Sequence, residues 1–289
     1  MIYFYKHKSL DEFSQTEINL LGYEGVKKFA EERNLSAEEV FHQIKRLETL
    51  IERTKSTPLD LNSPTVGSVL ENSINNYVDF FNKNANYNKQ AYIIIGNIGS
   101  GKSTYANMIE EDTHSIIIDP DRFKSGEMTK NGYFEGLTSF YSPEDREKLQ
   151  KPCSIAGIKT TEKIAQTGMN VILPLSSQSN EKLEKKISSL IKNNYDIHLI
   201  YFDAPYPDLV GRAYTRYLIR EYEQKLDPNG NIIHGRFVPL SVILSHGEPC
   251  FETFAKAYKH GRYKSYKAYY NDKTTGGKNL EIDIPTMLL

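Results

Sequence analysis

The sequence predicts an α/β fold, a parallel sheet flanked by helices, behind a helical N-terminal extension. Three observations predict it. Short apolar, β-branched runs recur at residues 91–95, 115–118, 171–173 and 197–202. Helical stretches lie between them, at Ser103–Glu111, Ala156–Gln166 and Asn180–Lys192. Strands alternating with helices form a parallel sheet covered on both faces. The first 88 residues lack such runs and carry helical spacing instead, so the expected division is a helical region at 1–88 and a sheet-bearing domain at 89–289.

The extension comes first. A weak helical pattern covers about 10–32. Ser36-Ala37-Glu38-Glu39 is a capping-box signature, in which the hydroxyl takes an orphan N–H and Glu39 reaches back. Val40, Ile44, Leu47 and Ile51 follow at helical spacing, and Pro58 stops the helix. Pro64 suits the first turn of a further helix. Its apolar stripe is Val66, Leu70, Ile74, Tyr77 and Phe81. These stripes read as packing or docking surface. The polar, turn-rich segment from Asn82 to Asn88 marks the boundary.

Bulk properties exclude several classes. The chain has 289 residues and a formal net charge of -1, which argues against a general polyanion binder. Cys153 and Cys250 are the sole cysteines, so no disulfide framework is expected, and a reducing compartment is. No apolar run reaches the about 18 residues a membrane span needs. Met1 to Lys6 lacks the pattern of a signal peptide. The expected location is cytoplasmic, with delivery into another cell left open.

The chemistry begins at Gly96-Asn97-Ile98-Gly99-Ser100-Gly101-Lys102-Ser103, which fits G-x-x-x-x-G-K-[ST] throughout. It follows an expected strand and precedes an expected helix, the context that this phosphate loop requires. Glycines let backbone N–H groups approach phosphate oxygens, and the helix N-terminus adds partial positive charge. Gly96 through Thr104 are therefore the expected nucleotide contacts. Lys102 is expected on the β- and γ-phosphates of ATP, and Ser103 on Mg²⁺. The guanine motif Asn-Lys-x-Asp is absent, no hydrophobic strand ends in the Asp-Glu of a motor ATPase, and the next strand follows the loop at the short distance of a small-molecule or polynucleotide kinase, so a P-loop kinase is the expected fold type.

After the second apolar run stand Asp119-Pro120-Asp121-Arg122-Phe123-Lys124. Ligands of open α/β sheets bind outside the carboxyl ends of strands. A carboxylate there can take a hydroxyl proton or help hold Mg²⁺. Asp121 reads equally as a base or as the cap of the next helix. Asp119 is the candidate metal ligand.

This phosphate loop followed by Ile118-Asp119-Pro120-Asp121-Arg122-Phe123-Lys124 resembles the zeta toxin family of P-loop kinases over about residues 90–285. The resemblance implies that Asp121 is the catalytic base. Arg220-Glu221-Tyr222-Glu223 is similar to the family's Arg-Tyr-Glu stretch, and Gly235-Arg236-Phe237-Val238-Pro239 to its second lid arginine. By the resemblance, Arg220 and Arg236 contact the phosphates during transfer. The stretch from Phe251 to Asn271 is similar to the family's last helix and strand. One departure stands out. Pro174 occupies the place of a family Glu that contacts a nucleotide-sugar substrate, and Gln178 the place of a common Arg. The resemblance thus implies an ATP- and Mg²⁺-dependent kinase acting on a hydroxyl of a small molecule, with a nucleotide-sugar as one candidate. An antitoxin or other regulatory protein is an implied partner.

Other features keep alternatives open. Read without the family, Arg220 and Arg236 are either solvated charges or a phosphate clamp, with Arg212 and Arg216 as rivals. Ser176 and Ser177 are candidates for the acceptor pocket or an ordinary turn. Residues 256–278 carry seven basic and one acidic group with interleaved tyrosines. That is either a nucleic-acid surface, as in a polynucleotide kinase, or a solvated face, the preferred reading. A nucleotide-dependent interaction protein without turnover is the remaining alternative.

Overall fold

The structure is a computed structural model that describes residues 10–54, 64–81, 85–125, 149–176, 179–223, 235, 237–271 and 279–288. Three helices open the chain: α1 (Gln15–Glu32), α2 (Ala37–Thr54) and α3 (Pro64–Phe81). The sheet-bearing part follows as β1 (Gln90–Gly96), α4 (Lys102–Thr113), β2 (Ile116–Ile117), α5 (Pro120–Ser125), α6 (Gln150–Thr167), β3 (Val171–Leu175) and α7 (Asn180–Lys192). It ends with β4 (Asp196–Asp203), α8 (Tyr206–Glu223), α9 (Leu240–His260), β5 (Ser265–Tyr270), β6 (Leu280–Glu281) and α10 (Ile284–Met287).

The strand order is β2-β3-β1-β4-β5-β6. β1 to β5 pair in parallel, as expected, while β6 is antiparallel to β5. That edge strand has no sequence signature, because a two-residue pairing is too short for a period. The near-continuous apolar runs reflect burial on both faces. One face sets Ile93, Ile95, Leu173, Leu199 and Tyr201 against α3, α6, α7 and α9. The other sets Ile94, Ile117, Ile172 and Phe202 against Ala106 of α4.

The N-terminal stripes pack wherever their side chains are described, while the side chains of Val66, Leu70 and Phe81 lie outside the described residues. Val26 and Phe29 of α1 and Val40, Ile44 and Ile51 of α2 form one buried cluster with Val210, Ala213, Tyr214 and Leu218 of α8. Ile74 and Tyr77 of α3 enter the main core beside β2. The Ser36 hydroxyl accepts from Glu39 N at 3.3 Å. A reciprocal capping box that the sequence reading passed over starts α1: Ser14 Oγ accepts from Glu17 N at 3.2 Å, and Ser14 N donates to Glu17 Oε2 at 2.8 Å. Glu48 of α2 joins extension and core, accepting at one oxygen from Leu240 N at 2.9 Å and from the Tyr214 hydroxyl at 3.1 Å.

Candidate active site

The phosphate loop lies between the end of β1, central in the sheet, and the start of α4. Gly99 has φ +82°, and a Cβ there would stand 2.6 Å from Leu209 O. Gly101, with φ +104°, would bring a Cβ within 2.6 Å of Asn271 Nδ2. Both positions need a residue without a side chain, for backbone angle and for space. Asn97 anchors the loop: its Nδ2 donates to Ile243 O at 2.8 Å, and its Oδ1 accepts from Ile98 N at 2.7 Å. Lys102 is buried, and its ammonium donates to Gly96 O at 2.9 Å and Asn97 O at 2.6 Å. It therefore lies across the loop itself. The Ser100 hydroxyl is buried there without a hydrogen-bond partner. Ser103 and Thr104 face outward in the first turn of α4.

A brace the sequence did not announce holds the loop from outside. Arg212 Nη1 donates to Gly99 O at 3.2 Å. Its Nη2 reaches Asn271 O and Oδ1, both at 3.1 Å, and Asp208 Oδ2 at 3.4 Å. Asn271 Nδ2 in turn approaches Ser100 O at 3.4 Å. Arg212, a rival of Arg220 for the phosphate clamp, is thus engaged in supporting backbone.

In the acidic turn after β2 the capping hydrogen bond is accepted by the first carboxylate. Asp119 Oδ1 accepts from Asp121 N at 3.0 Å, so Asp119 caps α5. Asp121 follows in the first helical turn, partly exposed. Arg122 Nη2 donates to Asn107 Oδ1 of α4 at 3.0 Å, and Nη1 lies 3.9 Å from Glu110 Oε1. Burial works against the Arg122 charge, but Tyr77, Glu110 and Asp119 outweigh it and its pKa is raised. Tyr77 of α3 donates its hydroxyl to Ile117 O and packs on Phe123 with ring centroids 5.1 Å apart. Burial pushes the Tyr77 pKa up to about 12, against the opposing pull of Arg122.

Arg220 is partly buried near the end of α8 and lines a groove of about 530 Å³ between α1 and α8, with Glu24, Lys28, Arg212 and Arg216. Arg236 lies outside the described residues, as do Ser177, Gln178 and Lys124's side chain. Its flanks are described: Gly235 N donates to Glu221 Oε1 at 2.8 Å, and Phe237 stacks on Tyr214 at 5.9 Å. Pro174 is buried within β3, paired with Ile94. Ser176 follows the strand, partly buried.

The basic segment near the C-terminus is engaged with the protein. Lys256 pairs with Glu252 at 2.9 Å, Lys264 with Asp196 at 3.7 Å, and Arg262 with Glu184. Tyr258 and Tyr263 both pack on Tyr266. Lys273 and Lys278 lie outside the described residues. Cys153 and Cys250 are buried and not joined in a disulfide, and burial pushes the Cys250 thiol up to about 12.

The sequence matches the family model described as Zeta toxin over residues 77–275. The fold is similar to that of a solved structure from the PezAT chromosomal toxin–antitoxin system of Streptococcus pneumoniae, at 16% identity and TM-score 0.52, covering 74% of this chain and 80% of that one. A structure of AvrRxo1-ORF1:-ORF2 with ATP also aligns, at 12% identity and TM-score 0.44, covering 95% of this chain and 73% of that one. No curated protein matches.

Proposed function

The chain belongs to the zeta toxin family, and on that premise we propose that it transfers the γ-phosphoryl group of ATP to a hydroxyl of a small molecule. The observation that carries the proposal is the fastening of the Asp119–Asp121 turn to the phosphate-loop helix through Arg122 and Asn107. It supports a site in which a carboxylate faces the group that the loop binds.

In this reading the loop amides and Lys102 bind the phosphates. Lys102 exchanges its two loop carbonyls for phosphate oxygens, and Ser100 gains the partner it lacks. Asp121 orients the acceptor hydroxyl and takes its proton as the oxygen attacks phosphorus. The bond from phosphorus to the bridging oxygen breaks, and ADP leaves with that electron pair. Arg220 and Arg236 stabilise charge on the transferred group.

Ser103 and Asp119 would hold Mg²⁺, since a hydroxyl facing outward at the loop helix and a carboxylate at a strand end are the hard oxygen donors it takes. A magnesium ion held there would supply neutralisation of phosphate charge. The acceptor is a small hydroxyl compound. A nucleotide-sugar is the first to test, although Pro174 has no side-chain acceptor to offer it. A toxin role, held in check by a separate protein, extends the family reading.

The test is incubation of the wild type and Lys102→Ala with labelled ATP and a cell extract, followed by mass spectrometry of labelled products. A labelled phosphate ester formed by the wild type alone supports the proposal. Equal labelling by both proteins overturns it.

A further inference from the structure

Among the described residues, β2 is an edge strand of the sheet. Ile116 N and Ile118 N donate toward β3, to Asn170 O at 2.8 Å and Ile172 O at 2.9 Å. The residue between them, Ile117, therefore turns its backbone groups to the open edge. Ile117 is buried, and a buried carbonyl needs a donor. That donor is the hydroxyl of Tyr77, from α3 of the N-terminal extension.

The same side chain reaches the far end of the acidic turn. Tyr77 and Phe123 are both fully buried, with ring centroids 5.1 Å apart. The Tyr77 oxygen also takes a hydrogen bond from Arg122. A phenol can donate and accept at once, so one hydroxyl serves the strand before Asp119 and the arginine after Asp121. α3 has its own anchors: Ile74 is buried in the main core, and Lys163 Nζ of α6 donates to Asn75 Oδ1 at 2.5 Å. Loss of the Tyr77 hydroxyl would thus leave the helix in place while releasing the turn.

We infer that Tyr77 is a positioning residue for phosphoryl transfer, holding the turn so that the Asp121 carboxylate meets the acceptor hydroxyl. This rests on the phosphotransferase reading above and deepens it, by giving the helical extension a part in the chemical step. α5 has six residues, too few for a helix to be stable by itself. Contacts from outside therefore set where Asp121 stands, and Tyr77 supplies them on both sides of it. A base works within hydrogen-bond reach of the proton it takes, and a displacement of about 1 Å can cost about a hundredfold in rate. Tyr77 touches neither phosphate loop nor nucleotide-binding lysine in this arrangement, so its effect belongs to transfer and not to ATP binding.

The test is single-turnover transfer from labelled ATP to the acceptors of a cell extract, with ATP affinity measured alongside. It uses the full chain at a temperature where circular dichroism shows every variant folded. Tyr77→Phe keeps the ring and loses both hydrogen bonds; it slows transfer about fivefold or more and leaves ATP affinity within about twofold of the wild type. Ile74→Ala removes apolar volume from the same helix but no hydrogen bond to the turn. It lowers the unfolding temperature at least as far, yet transfers within about twofold of the wild-type rate. Placed on Asp121→Asn, Tyr77→Phe adds less than about twofold, because the group it positions is already gone. Wild-type transfer by Tyr77→Phe, equal slowing by Ile74→Ala, or a full effect on the Asp121→Asn background each overturns the inference. Undiminished transfer by Asp121→Asn alone would instead sink the reading on which it rests.

Discussion

Arg122 donates to Asn107 across 3.0 Å, a contact that helps tie the acidic turn after β2 to the helix that begins with Lys102. Glu110 of the same helix lies 3.9 Å from that guanidinium. Replacing Arg122 with Met removes a charge-assisted bond and leaves Glu110, whose pKa is already raised by burial, without its cation. The expected stability loss is about 1.5–3 kcal/mol. Turnover is expected to fall at least tenfold with ATP affinity within about twofold of the wild type. Thermal unfolding and steady-state kinetics check both. Undiminished turnover would mean that the tie does not position the turn.

Gly99→Ala tests the loop. The new Cβ would lie 2.6 Å from Leu209 O at φ +82°, a region that costs an L-residue about 1–2 kcal/mol before any clash. The KM for ATP should rise at least tenfold while circular dichroism stays unchanged. An unaltered KM would show that the loop tolerates a different shape.

Arg212 acts on the same loop from outside. Arg212→Ala frees Gly99 O and Asn271 together, so the KM for ATP should rise about five- to tenfold with little change in kcat. Arg212→Lys should restore little, since an ammonium cannot reproduce the fork that reaches both partners. A large kcat loss at constant KM would instead place Arg212 on the transferred group.

Alkaline pH gives a stability signature. The pKa of Tyr77 stands at about 12 in the folded protein against 10.0 for a free tyrosine, and that of Cys250 at about 12 against 9.0. A raised folded pKa means that unfolding favours ionisation. These groups contribute fully below pH 9–10, and their contribution is lost as pH rises through 12. The unfolding temperature should fall across pH 9–12. Tyr77→Phe should lower it at pH 7, through loss of the bond to Ile117 O, yet flatten its decline above pH 10. A decline equally steep in the variant would contradict this account of Tyr77.

Much of this was legible in the sequence. The β-branched runs gave β1 to β4, and the glycine pattern gave the loop, because both are local in the chain. Asp119 and Asp121 were visible as a pair, but which one caps α5 depends on a hydrogen bond across two residues. The Arg212–Asn271 brace joins positions 59 apart, and Tyr77 reaches β2 over 40, so neither has a spacing to read. The edge strand β6 left no local trace.

The central claim is that Asp121 does chemistry and does not merely shape the turn. The direct measurement is ATP affinity and single-turnover transfer in Asp121→Asn, which keeps the size and one acceptor oxygen but cannot take a proton. Transfer is expected to slow about a hundredfold or more, in line with the worth of a general base, with ATP bound as tightly as by the wild type. Transfer at the wild-type rate, or a loss of ATP affinity matching the loss of rate, would contradict it.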